Sequence, residues 1–246
     1  MADSIKVNGI VLSAAPAGEA DRRVLLLTKE LGKISAFARG ARRPNSPFVG
    51  TVKPFAFGVF YLNAGRSAYS VQKTEISEYF EELSKDVDRS VYGQAFMELS
   101  AYFSHENEDG TESLALLYYA LRALRSEKIP KALVRTVFEL KLLAVNGLMP
   151  AFEVCPKCGK KLENGIFSPA LMQPLCADCG GSDTRCPLSK STVYALEFIR
   201  LSPVNRLFTF RVTEEVQREL SDVTELFFRQ VLDRELPARS MLKMLL

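Results

Sequence analysis

Two Cys-x-x-Cys pairs, Cys155-Pro-Lys-Cys158-Gly and Cys176-Ala-Asp-Cys179-Gly, stand seventeen residues apart and constrain this chain more than any other feature. At that spacing two tight turns each deliver two thiolates to one tetrahedral metal ion, zinc above all. The trailing Gly159 and Gly180 permit close backbone approach to sulfur. Residues 155–187 lose all hydrophobic periodicity, so the metal is expected to hold together a segment with almost no core of its own. Four protein thiolates leave no open coordination position, and one structural zinc on Cys155, Cys158, Cys176 and Cys179 is the expectation. A redox Cys-x-x-Cys pair and unrelated buried cysteines are the competing readings. Cys186 is the spare thiol.

The rest of the chain is ordinary globular chemistry: 246 residues, 47% hydrophobic and 25% charged, excludes disorder. Five cysteines in this length are no secreted disulfide framework, and a reducing cytoplasm fits best. The longest apolar stretch, Leu114 to Leu121, is far short of a membrane span, and the start lacks a basic segment followed by an apolar one. A soluble, unexported, cytoplasmic protein without a membrane partner is expected. The net charge of +3 is unevenly spread. Residues 1–80 carry 11 Lys and Arg against 6 Asp and Glu, whereas residues 81–150 carry 8 against 11. This points to a polyanion site at the front and an acidic middle.

Residues 1–80 alternate with period two over Ile5 to Ser13, Arg22 to Thr28, Lys33 to Arg39, Pro54 to Leu62 and Ala68 to Glu75. Turn chemistry at Ala15-Pro16-Ala17-Gly18, Glu30-Leu31-Gly32 and Asn63-Ala64-Gly65 separates them. Five short strands in this span predict a Greek-key barrel of the OB type, with the Gly40 to Lys53 connection placed where such barrels insert a helix or a flexible arm. Helical period follows at Val91 to Phe103 and Leu114 to Leu124, split by the polar loop 105–110, with Thr111 placed to cap the second helix. A third helix, about Lys131 to Asn146, is apolar on most sides and reads as the centre of a bundle; helices return at Ser189 to Leu201 and from Thr213 onward. The fold class is therefore α+β: a five-stranded OB-type β-barrel at 1–80, then an α-helical domain at 81–246 carrying a four-cysteine zinc finger inserted at about 152–187.

A search for catalysis returns almost nothing. The single histidine, His105, lies in an acidic polar loop, and neither G-x-x-x-x-G-K-[ST] nor G-x-G-x-x-G occurs. Asp86 and Asp88 near Glu81 and Glu82 could be imagined as nuclease carboxylates, but a solvated charged face is the better reading. No catalytic residue and no small-molecule substrate are expected.

The front end offers binding chemistry instead. Lys33, Ser35, Phe37 and Arg39 share one face of a strand that runs on into Arg42-Arg43-Pro44, and Arg66 in a later turn extends the cations. Arginines neutralise phosphates and release counterions, and an exposed Phe stacks a base. Phe37 reads equally as barrel core, and the arginine cluster has a purely solubilising alternative.

Taken in order, these residues resemble the RecO family of bacterial recombination mediators over essentially the whole chain. The resemblance rests on Gly18-Glu19-Ala20-Asp21-Arg22-Arg23, Leu27-Thr28-Lys29-Glu30-Leu31-Gly32-Lys33, Ala38-Arg39-Gly40-Ala41-Arg42-Arg43, Phe138 to Leu143 leading through Gly147 and Pro150 to Cys155, and Arg239 to Leu245. It implies a DNA-repair protein that binds single- and double-stranded DNA, anneals complementary strands, engages the single-strand binding protein SSB, and with RecR promotes RecA loading. By the same carry-over Lys33, Phe37, Arg39, Arg42, Arg43 and Arg66 contact DNA and the four cysteines bind zinc. Since some family members lack the cysteines, the zinc is expected to serve stability. The SSB contact is expected in a cation-edged apolar groove of the helical domain, with Arg135 and Lys141 as its cations. The alternative is a zinc-ribbon and OB module acting on RNA or an acidic protein partner in regulation.

Overall fold

The computed structural model describes residues 4–66, 68–126, 128–181 and 186–244. Two compact units emerge: residues 4–125 together with 236–244, and residues 126–235.

The first unit is built on β1 (Ile5–Ala17), β2 (Asp21–Thr28), β3 (Gly32–Ala38), β4 (Phe57–Asn63) and β5 (Tyr69–Glu78). They close into a barrel in the order β1-β2-β3-β5-β4. The pairings are antiparallel except β3 with β5, where Ala36 meets Tyr69 and Phe37 meets Ser70 in parallel and the barrel shuts. Alternation decides the two faces: Val7, Val11, Val24, Leu26, Ile34, Phe60, Leu62 and Val71 fill the interior. β1 runs four residues past the predicted end, because a register shift between Val11 and Ser13 bends it so that one strand serves both β4 and β2. The turn then falls to Gly18, at φ +64°.

The long connection after Gly40 is not a free arm. Ala41, Phe48, Val52 and Ala56 are buried in the barrel core, and local bonds such as Ser46 N–H to the Arg43 carbonyl (3.0 Å) fold it into successive turns. Apolar side chains at these positions plug one end of the barrel.

α1 (Glu81–Ser84), α2 (Val87–Phe103) and α3 (Thr111–Arg125) belong to the same unit. Asp86 caps α2 by accepting the Arg89 N–H at 3.0 Å. Thr111 does not cap α3 as expected: it is the first helical residue, and its N–H and hydroxyl both donate to Asp109. The 105–110 loop, expected to be merely solvated, clasps the β2–β3 turn. The His105 carbonyl accepts from Lys33 N–H (2.9 Å), Asn107 N–H donates to Leu31 and Gly110 N–H to Lys29. A side chain at Gly32 would strike the His105 carbonyl oxygen at 2.2 Å, so the clasp requires glycine there.

The second unit carries α4 (Lys131–Val145), β6 (Gly165–Ser168), β7 (Gln173–Leu175), α5 (Ala177–Gly180), β8 (Pro187–Leu188), α6 (Lys190–Leu201), a 3-10 stretch (Val204–Thr209) and α7 (Glu214–Val231). α4 is buried from Leu133 to Leu143 and packs against α6 and α7, the central position predicted for it. Ser189 and Thr213 cap α6 and α7 through side chains that accept the Thr192 and Val216 N–H groups. The cysteine segment lies between α4 and α6 as a three-stranded sheet ordered β7-β6-β8. It has more core than its sequence suggests: Phe167 stacks on Phe152 at 6.2 Å and meets Phe227 of α7 at 5.0 Å. The chain then returns to the first unit as α8 (Pro237–Lys243), which packs on α2. Among the described residues no helix is long and apolar enough to cross a membrane.

Candidate metal centre and nucleic-acid interface

The four predicted thiols meet. Sγ atoms of Cys155, Cys158, Cys176 and Cys179 all lie within 4.8 Å of one another, and those of Cys158 and Cys176 are 3.7 Å apart. Metal–sulfur bonds of about 2.3 Å in a tetrahedron give sulfur–sulfur edges of about 3.8 Å, so this set can hold one metal ion. Each pair is presented by a short turn: Gly159 N–H donates to the Cys155 carbonyl and Gly180 N–H to that of Cys176, both at 2.8 Å. Gly159 has φ +71° as its turn demands. Gly180 is there for another reason, since a side chain would come within 2.7 Å of Ile166; the left-handed residue of the second turn is Gly181.

Two thiols of the cluster are shifted in opposite directions. Burial disfavours the Cys155 thiolate, yet hydrogen bonds from the backbone of Cys176, Cys158 and Lys157 bring its pKa down to about 6. Cys179 is pushed up to about 12 by hydrogen bonds with Cys158 and Cys176, which favour its protonated form when the thiols face one another. Lys160 and Asp178 join the two turns by an exposed ion pair at 2.7 Å. Cys186 is buried beside β8, outside the four.

On the barrel, Phe37 is 37% exposed and lies on the outer face, which resolves its two readings in favour of the surface. It shares an open groove of about 610 Å³ with Arg39, Asp21, Asn63, Ser70 and Gln72. Arg42 and Arg43 follow, both exposed, on a turn held by Arg42 N–H to the Ala20 carbonyl and by the Arg42 guanidinium to the Gly18 carbonyl. Arg66 is exposed in the β4–β5 loop next to Gly65, which lines the same groove. Lys33 departs from this group. Its ammonium donates to the Ala101 carbonyl at 2.5 Å, in the last turn of α2, and so ties barrel to helix.

One cation was missed from sequence. Arg23 is the register partner of Phe37 across β2 and β3, exposed, with its Nε donating to Ser35 Oγ at 2.9 Å. Pairing β2 with β3 through the tight Glu30–Gly32 turn would have placed it there.

The expected partner cations on α4 are buried instead. Arg135, 8% exposed, lies against Glu139 at 3.2 Å and pairs with Glu225. Lys141, 5% exposed, donates to the carbonyls of Arg200 (3.0 Å) and Ser202 (2.9 Å), closing the C-terminal end of α6. Both are turned inward because α4 is the buried, central helix of the unit. A cation-edged apolar groove of about 620 Å³ does occur elsewhere in this unit, floored by Tyr194, Phe198, Phe210 and Val216 and flanked by Lys190 and Arg211. Lys190, the first residue of α6, and Thr213, the cap of α7, border it; its lining carries no carboxylate, and Glu214 and Glu215 open α7 just beyond it.

Comparison with known proteins identifies the family. The N-terminal model of recombination protein O matches residues 1–80 and the C-terminal model residues 84–240. DNA repair protein RecO of Acetivibrio thermocellus is 32% identical over 233 residues, covering 94% of this chain and 92% of that protein. Its namesake in Alkaliphilus metalliredigens is 32% identical over 232 residues, 94% of each, and that of Clostridium novyi 28% over 229 residues, 92% of this chain and 88% of that protein. The chain belongs to the RecO family.

Proposed function

We propose that this chain is a recombination mediator in DNA repair, acting without catalysis in the cytoplasm. The barrel at 1–80 is its DNA-binding domain, and 81–246 carries partner contacts and the zinc finger. The observation that carries the reading is the outward Phe37 with Arg23 and Arg39 beside it and Arg42 and Arg43 on the next turn. An aromatic platform among exposed guanidinium groups is the chemistry that holds a polynucleotide by stacking and phosphate neutralisation. Arg66 extends the track. Lys33 contributes by fixing β3 against α2.

The protein binds single- and double-stranded DNA, anneals complementary strands, and with RecR promotes RecA loading on SSB-coated DNA. The SSB contact falls in the α6–α7 groove, where Lys190 and Arg211 take the place assigned from sequence to Arg135 and Lys141. Cations and an apolar floor favour an anionic segment with apolar side chains. Zinc on the four cysteines supplies a structural crosslink between the two turns.

The test is annealing of complementary strands pre-coated with SSB, without nucleotide. Fast annealing by the native protein and little by a folded Arg39→Glu/Arg42→Glu/Arg43→Glu variant supports the reading. No annealing by a folded, zinc-loaded native protein overturns it in favour of a module for RNA or an acidic protein.

A further inference from the structure

Lys6, Tyr61 and Lys73 stand in one line across β1, β4 and β5, because Lys6 is the register partner of Tyr61 and Tyr61 of Lys73. Their neighbours Val7, Phe60 and Leu62 fill the core, so these three face outward. The Lys73 ammonium lies 5.2 Å from the centre of the Tyr61 ring. The barrel order puts this line on the β1-β4-β5 side, whereas Phe37 sits between β2 and β5. Each side thus has an outward aromatic ring with cations next to it.

Glu75 reveals what the second side is built to hold. Its carboxylate accepts from the Lys73 ammonium at 2.6 Å and from the Tyr61 hydroxyl at 3.3 Å. The Lys73 hydrogen bond holds its carboxyl below the usual range, with Lys6 acting in the same direction. Donors from β4 and β5 thereby meet on one anion, with Lys6 of β1 next along the line, as protein donors meet on a backbone phosphate. The chain's own carboxylate fills the site. An exposed lysine–carboxylate pair is weak, and a polynucleotide gains counterion release that Glu75 cannot offer.

We propose that the Lys6–Tyr61–Lys73 line is a second face for single-stranded DNA, on which a backbone phosphate displaces Glu75 from Lys73 and Tyr61 and a base stacks on the Tyr61 ring. The proposal rests on the DNA-binding reading above. It gives one barrel two strand-binding faces, one along Phe37 and the other along Tyr61.

The full-length protein is titrated at low salt with an oligothymidylate of about 15 nucleotides, near the upper site size of one OB fold. The native protein takes up two strands per chain. A Lys6→Glu/Lys73→Glu variant takes up one and anneals poorly, while Glu75→Gln keeps both and binds the weaker strand at least about threefold tighter. Circular dichroism melting checks that these surface variants fold. One strand per chain in the native protein, or no change of stoichiometry in the double variant, overturns the second face and leaves the DNA-binding reading intact. No strand bound by the native protein overturns both.

Discussion

Asp21 accepts the backbone N–H of Gly40 at 2.7 Å, and this bond sets the turn from which Arg42 and Arg43 leave the barrel. Gly40 sits at φ +66°, where an L side chain costs about 1 kcal/mol. Gly40→Ala is therefore expected to lower stability by about that amount, and Asp21→Ala to do the same through loss of a hydrogen bond to a charged acceptor. Urea unfolding of both variants measures this; midpoints unchanged from the native protein would show that the turn is set by other contacts.

Stacking and charge at the barrel face separate by salt. Phe37→Ala should weaken single-strand binding by about 1–3 kcal/mol while leaving the salt dependence as it is. Replacing Arg39 or Arg42 by Gln should lower the slope of log affinity against log salt by about 0.7 for each phosphate no longer neutralised. Fluorescence anisotropy over a salt series distinguishes the two. An unchanged slope in both arginine variants would remove them from the interface.

Zinc analysis of the purified protein should give one ion per chain, absent from Cys155→Ser/Cys179→Ser. Loading must expel the thiol protons that remain on the cluster, that of Cys179 above all because hydrogen bonds with Cys158 and Cys176 push its pKa up, so uptake tightens as pH rises. Removal by chelator is expected to lower the melting temperature while the barrel keeps its affinity for DNA within about threefold. An unshifted melting curve after full removal would deny the metal a structural role.

Arg135 lies in a buried ion cluster with Glu139 and Glu225. Arg135→Met leaves Glu139 buried without its partner and should cost about 3 kcal/mol in urea unfolding. A stable variant that fails to bind SSB would reverse this assignment.

The α6–α7 groove makes the opposite forecast. Lys190→Glu/Arg211→Glu should leave thermal stability within about 0.5 kcal/mol and weaken the pull-down of SSB at least about tenfold, since rim charges steer an anionic segment. Equal binding by native and variant protein would place SSB elsewhere.

The features visible in the sequence were those governed by local rules. The Cys-x-x-Cys spacing led directly to the four-sulfur cluster, and period-two alternation over residues 1–80 led to the five strands of the barrel. Long-range pairing was not visible in the same way. Nothing around Lys33 announces that its ammonium reaches Ala101, 68 residues away, and nothing around Arg135 announces Glu225, 90 residues on. A charge on a helix reads as a solvent-facing side chain until tertiary packing supplies its partner. Residues 40–56 misled for a related reason: Phe48 and Val52 lack strand or helix period, yet they plug the barrel.

The seating of α8 on α2 has a consequence for synthesis. The ribosome makes the barrel first, but the surface of α2 that receives Leu242 has no partner until residues 237–243 have been translated. Residues 126–235 have all their own packing partners earlier, as soon as Glu235 emerges. The order in which the two units mature is thus the reverse of the order in which they begin, and a ribosome stalled just after Glu235 leaves the barrel unit unfinished.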